Sequence, residues 1–225
     1  MTILTRENLT DGSYLSKLSL SPHVAWTGDD LQRSLSTALE LRPEGDLWVF
    51  GYGSLMWNPL MEFDARQLAS LDGWHRSFSV RSISGRGSPE HPGRVLSLEP
   101  GGQVQGVAFR LRPDLAEAEL RLLWTREMAG GVYHPLWLDL TLVNGQAVRA
   151  ITFVANVEHP QYEPDASVET VAKLVAKATG AFGPNIDYNH ALDRALADLG
   201  LQDPYIEAIV LGLRQQAITA DRDRP

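Results

Sequence analysis

The chain has 225 residues, 44% of them hydrophobic, with a net charge of −8 and an isoelectric point near 5.2. That content suffices for one large core, and the acidic balance excludes nucleic acid and anionic membrane surfaces as expected partners, since both are held by clustered Lys and Arg. There is no cysteine, so disulfides, thiolate nucleophiles and Cys-ligated metals are ruled out, and any thiol in the chemistry belongs to a substrate.

Residues 1–45 read as a helical appendage: polar at first, then an amphipathic helix opened by Asp29-Asp30 with Leu31, Leu35, Ala38 and Leu39 on one face. No apolar run approaches the ~18 to 20 residues of a membrane helix, and the polar N-terminus carries no basic-then-apolar leader, which predicts a cytoplasmic protein. From Asp46 the text changes to short β-rich segments broken by glycine and proline, with strands predicted at 46–53, 74–82, 93–99, 104–111, 132–143 and 147–155. One helix interrupts them, opening at Pro113-Asp114, carrying Leu115, Leu120, Leu123 and Trp124, and ending near Arg126-Glu127 before Gly130-Gly131. Two or three further helices are expected at about 166–179, 187–199 and 203–217, divided by the glycines and proline of 180–184 and by Gly200 with Asp203-Pro204, and the tail 219–225 is expected to fray. Strands first and helices later indicate an α+β fold, and six strands without long helical crossovers suggest a curled or barrel-like sheet.

The most informative stretch is Val49-Phe50-Gly51-Tyr52-Gly53-Ser54-Leu55, where an apolar strand runs into two glycines and a serine. Glycines at 51 and 53 let successive backbone N–H groups converge on a carboxylate, and Ser54 adds a hydroxyl that donates or accepts. Other chemistries are poorly served. The six histidines (His23, His75, His91, His134, His159, His190) stand singly, with no His-x-x-x-His pair to suggest a local metal site. No phosphate loop is present, Gly51-Tyr52-Gly53 lacks the third glycine of a dinucleotide fingerprint, and Ser54 does not sit in Gly-x-Ser-x-Gly.

Glu127 has an unusual address, at the C-terminal end of a helix beside Trp124 and Met128. The macrodipole and the apolar neighbours are expected to raise its pKa, which suits proton transfer near neutral pH. The bland alternative is pairing with Arg126 or another cation. Arg76 alternates with Trp74 and Phe78 on one face of a predicted strand, as a buried ion pair or an anion clamp.

Taken in order, Val-Phe-Gly-Tyr-Gly-Ser-Leu-Met-Trp-Asn-Pro (49–59), Gly-Trp-His-Arg-x-Phe (73–78), Gly-Arg-Gly (85–87), Pro-Gly-Arg (92–94), Gly-Val-Ala-Phe-Arg-Leu (106–111), Leu-Trp-Thr-Arg-Glu-Met (123–128), His-Pro-Gln-Tyr-Glu (159–163) and Gly-Pro-Asn-x-x-Tyr (183–188) resemble the ChaC family, in its bacterial branch. That family consists of glutathione-specific γ-glutamylcyclotransferases. The resemblance implies a small mixed-sheet, barrel-like γ-glutamylcyclotransferase domain over 46–218 behind the appendage 1–45. It also implies glutathione as substrate, 5-oxoproline and cysteinylglycine as products, and no metal or organic cofactor. Carried over residue by residue, Glu127 does the proton transfers and Val49, Phe50, Gly51, Tyr52, Gly53, Ser54 and Leu55 form the loop that holds the glutamyl moiety; Tyr133 and Tyr162 are further candidate substrate contacts, and Arg76 is a candidate substrate contact or a support for the loop. Many members carry Arg-Glu-Lys-Gly-Gly-Tyr where this chain has Arg126-Glu127-Met128-Ala129-Gly130-Gly131-Val132-Tyr133. Another γ-glutamyl amine as substrate, or a non-catalytic module that captures glutathione or a related anion, are the competing readings, and the oligomeric state stays open.

Overall fold

The computed structural model describes residues 4–18, 20 and 24–222, the last four of these by backbone alone. His23 and residues 223–225 lie outside the described residues, so the expected fraying falls partly beyond them. The chain divides into two compact units, residues 1–76 with 97–159 and residues 77–96 with 160–225.

The first unit opens with two short helices, α1 (Arg6–Thr10) and α2 (Ser13–Leu18), which the polarity of the N-terminus had concealed. Next comes α3 (Gly28–Glu40), the amphipathic helix anticipated from Leu31, Leu35 and Ala38. Its opening belongs to Thr27, whose side chain accepts from the Asp30 N–H while Asp30 accepts from the Thr27 N–H, a reciprocal capping box.

Five strands form a closed barrel in the order β1-β3-β2-β4-β5. They are β1 (Trp48–Gly51), β2 (Phe63–Ser82), β3 (Gly93–Leu111), β4 (Tyr133–Leu142) and β5 (Ala147–Ala155). β1 runs antiparallel to β3, with Phe50 opposite Ala108, and closes the ring by parallel pairing with β5, Val49 against Ile151. Closure leaves the barrel itself no open edge. Pro100-Gly101-Gly102, read from sequence as a break between two strands, lies inside β3: the two glycines take φ of 114° and 71° and the strand continues through them. Residues 63–73, not foreseen as a strand, alternate between more and less exposed positions as far as Leu71. α4 (Ala116–Glu127) packs its Leu120, Leu123 and Trp124 into the core, with the Trp124 ring edge-on to Phe153 at 5.4 Å. Pro113-Asp114 forms the turn before it, and the helix itself starts two residues later than expected.

The second unit takes the distal ends of β2 and β3 with α5 (Val168–Val175), the two-residue strands β6 (Thr179–Gly180) and β7 (Gly183–Pro184), α6 (Asn185–Asp198) and α7 (Pro204–Arg222). α5 starts at Ser167, whose hydroxyl accepts from the Thr170 N–H, and stops short of 179 because Thr179-Gly180 pairs as a strand. The 160–163 segment adds to β2: Arg81 N–H donates to Gln161, Glu163 N–H donates to Ser79, and Tyr162 faces Val80 in register. Asn185 brackets Arg94 by accepting from its N–H at 2.7 Å and donating to its carbonyl at 3.0 Å.

Candidate active site

β1 delivers the chain to Tyr52 and Gly53, after which Ser54–Met56 turns once as a 3-10 helix with the Met56 N–H donating to the Gly53 carbonyl. The opening N–H groups of such a turn have no partner within it and point toward whatever lies in front. Gly51 is required by close approach: a β-carbon there would lie 2.8 Å from Leu55 Cβ and 3.3 Å from Phe109 Cε2. Two anchors hold the turn. Tyr52 Oη donates to the Phe153 carbonyl at 2.6 Å, and the buried Arg76 guanidinium donates to the Tyr52 carbonyl at 2.8 Å and to the Gln105 carbonyl.

Arg126, in the last turn of α4, brings the acid and the turn together. Its Nε faces Glu127 Oε1 at 2.9 Å, its Nη2 donates to Ser54 Oγ at 2.8 Å, and its Nη1 donates to the Asn58 carbonyl. As an acceptor from Arg126, the Ser54 hydroxyl keeps its own hydrogen for donation. Arg126 is 3% exposed and Glu127 15%, so the carboxyl retains a narrow opening to solvent while most of it is enclosed. Burial pushes the Glu127 pKa up, and the charge and hydrogen bond of Arg126 pull against that rise. The geometry therefore sets an enclosed carboxyl one guanidinium away from the Ser54 hydroxyl of the glycine turn.

Comparison with known proteins gives the family of the chain. A family model described as ChaC-like protein matches residues 47–216. This chain belongs to the ChaC-like family. It is 41% identical to the glutathione-specific gamma-glutamylcyclotransferase of Escherichia coli (strain K12) over 88% of this chain and 86% of that protein. It is also 34% identical to glutathione-specific gamma-glutamylcyclotransferase 1 of Danio rerio over 64% and 76%. A crystal structure of a yeast gamma-glutamylcyclotransferase specific to glutathione shares the fold, with a TM-score of 0.71 at 20% identity, covering 76% of this chain and 97% of that one.

Within this ChaC-like frame the expected site residues separate into groups. Val49 and Phe50 are wholly buried in β1 and carry the turn from behind. Gly51, Tyr52, Gly53 and Leu55 form its buried body, and Ser54 is the partly exposed member. Arg76 holds the backbone of the turn, the supporting alternative among its expected roles. Tyr133 begins β4, half-buried, six residues beyond Glu127. Tyr162 belongs to the second unit. The helix dipole and apolar neighbours were the expected origin of the rise in the Glu127 pKa; burial, which such neighbours supply, is the leading cause, and the pairing with Arg126 named as the bland alternative is present beside it. Arg126 was missed as a functional residue. The signal was present as a cation adjacent to the acid, but its reach to Ser54, 72 residues away, is tertiary. Among the described residues no group of three or more potential metal ligands gathers, and no helix is long and apolar enough to cross a membrane.

Proposed function

We propose that this chain is a glutathione-specific γ-glutamylcyclotransferase in which Glu127 is the general base and acid. The observation that carries the reading is the enclosed Glu127 carboxyl joined through Arg126 to Ser54 of the glycine turn. Glu127 accepts a proton from the glutamyl α-ammonium; the freed amine attacks the γ-carbonyl carbon of its own chain, and a five-membered ring forms. The bond from that carbon to the cysteine nitrogen breaks as that nitrogen takes the proton from Glu127, the ring nitrogen gives up its second proton, which ends on the same departing amine as its ammonium, and 5-oxoproline and cysteinylglycine leave with no water consumed. Because nucleophile and electrophile belong to one molecule, the main task of the protein is to hold the glutamyl chain bent. The N–H groups of Gly53, Ser54 and Leu55, with the Ser54 hydroxyl, would bind the α-carboxylate or the developing oxyanion, and Tyr133 would hydrogen-bond the same end. These steps draw on the first unit alone, and Tyr162 has none assigned. A cytoplasmic setting, and glutathione as the small-molecule partner, belong to the same proposal.

The test is Glu127→Gln, which keeps shape and hydrogen bonding but cannot cycle a proton. Production of 5-oxoproline from reduced glutathione is expected to fall about 10²- to 10⁴-fold, and a near wild-type rate refutes the assignment. Faster turnover of γ-glutamylalanine than of glutathione at equal concentration would move the substrate to another γ-glutamyl amine. Binding of glutathione without turnover by the wild-type protein would leave a capture module.

A further inference from the structure

The segment after the proposed base is wrapped by the N-terminal appendage at several points. Tyr14, on α2 and 5% exposed, donates from its hydroxyl to the Arg126 carbonyl at 3.2 Å, the peptide unit that leads into Glu127. The Trp26 N–H donates to the Ala129 carbonyl at 2.9 Å. The Trp26 ring lies over Gly131, where a β-carbon would come within 2.4 Å of its Nε1, and Gly131 has φ +66°, so residue 131 is shaped to admit that ring. α1 ties the same segment further back: Arg6 forms a two-pronged ion pair with the buried Glu119 of α4 and also donates to the Leu60 carbonyl in the loop that follows the turn. Met128 and Ala129, between these contacts, are almost completely buried.

We propose that the appendage is the cover of the active-site carboxyl, with Tyr14 and Trp26 as positioning residues that keep water off Glu127 and hold its helix end against the glycine turn. This rests on Glu127 being the base. Among the described residues, the titratable groups facing that carboxyl and the segment beyond it are Arg126 on α4, Tyr14 on α2 and His159, which hydrogen-bonds the Gly130 backbone. Tyr14 stays a neutral donor, because burial, with the Glu127 charge adding to it, raises its phenol well above the ordinary range. His159 is held below its usual value by burial. Opening the cover therefore changes mainly the solvation of Glu127. A better-solvated carboxyl ionises at lower pH and is a weaker base.

The experiment is a ¹³C-carboxyl titration of full-length protein, with the Glu127 resonance assigned by its loss in Glu127→Gln, alongside pH profiles of kcat/KM. Tyr14→Ala and Trp26→Ala are each expected to move both the titration midpoint and the acid limb of kcat/KM down by about one pH unit. Tyr14→Phe, which keeps the ring, should leave both within about a third of a unit of wild type while lowering kcat. Gly131→Ala, which displaces Trp26 from the other side, should shift both downward as Trp26→Ala does. An unmoved Glu127 midpoint in folded Tyr14→Ala and Trp26→Ala overturns the proposal, as does a full-sized shift in Tyr14→Phe. If the alanine variants do not fold, amide exchange in the wild-type protein decides, because rapid exchange of the Trp26 N–H, which donates to the Ala129 carbonyl, would mean that no cover is seated. The carboxyl titration reads the cover without activity, so its failure is distinct from the failure of the catalytic assignment, which Glu127→Gln turnover reports.

Discussion

Replacing Arg126 by Gln removes the cation that faces Glu127 at 2.9 Å and the fork that reaches Ser54 Oγ at 2.8 Å. An opposite charge that close lowers a carboxyl's pKa by roughly 1 to 3 units, equivalent to about 1.4 to 4 kcal/mol. Without it, Glu127 is left to burial, which pushes the other way. The acid limb of kcat/KM, which reports the base in the free enzyme, is therefore expected to rise by about one unit or more. The base must be ionised to act, so the variant loses activity at neutral pH and regains part of it on the alkaline side. That recovery is diagnostic, because a misfolded or misplaced site does not mend when pH is raised. Arg126→Lys keeps the charge but not the planar fork, so its limb should stay within about half a unit of wild type while kcat drops about tenfold. The assay is the initial rate of 5-oxoproline formation across about pH 5 to 10. An Arg126→Gln limb coincident with wild type, in a protein that Glu127→Gln inactivates, refutes the reasoning.

Glu127→Gln should also change stability with a definite sign. The folded-state pKa is raised above the ordinary 4.5, so the favourable contribution of the neutral carboxyl is complete below that value and is lost as pH rises through the folded pKa. The variant should therefore gain on wild type with increasing pH, by about 1.4 kcal/mol for every tenfold by which folding weakens the acid, in urea melts at acidic and alkaline pH; a difference independent of pH removes the argument. Gly51→Ala drives a methyl into Leu55 Cβ at 2.8 Å and should cost about 1 to 3 kcal/mol and raise KM for glutathione, read by Tm and steady-state kinetics. An unchanged KM would mean that the turn does not hold the substrate.

What could be read from the sequence was what is local. The glycine turn at 51–55 and the carboxylate at a helix end each lie within a dozen residues of text, and the α+β order is a succession of such local patterns. The strand over 63–73 was hidden because Ala65, Arg66, Gln67 and Leu68 favour helix as readily as strand, and only pairing, such as Ala69 with Leu142, decides. Pro100-Gly101-Gly102 carries the signature of a turn, yet the two glycines at positive φ carry the strand on through it. Arg126 and Tyr14 were invisible as site residues for the same reason. The contact from Tyr14 to the Arg126 carbonyl spans 112 residues, and no periodicity encodes it.

Cover and cation bear on one equilibrium from opposite sides, which yields a test that two unrelated injuries would fail. A carboxyl at its ordinary pKa is a poor acid for the departing amine, whereas one raised by burial without Arg126 would stay protonated and be no base. The proposed reaction needs both, since in it one proton travels onto Glu127 and off again. Tyr14→Ala lets water lower the pKa, and Arg126→Gln lets burial raise it. Combined, the two should return the acid limb to between those of the single variants, near wild type, although kcat stays low because Ser54 has lost its partner. Neighbouring residues couple, so the shifts need not sum, but their signs must oppose. A double variant whose limb lies beyond either single one, in either direction, would mean that Tyr14 and Arg126 do not act on the ionisation of Glu127 in the way the geometry implies.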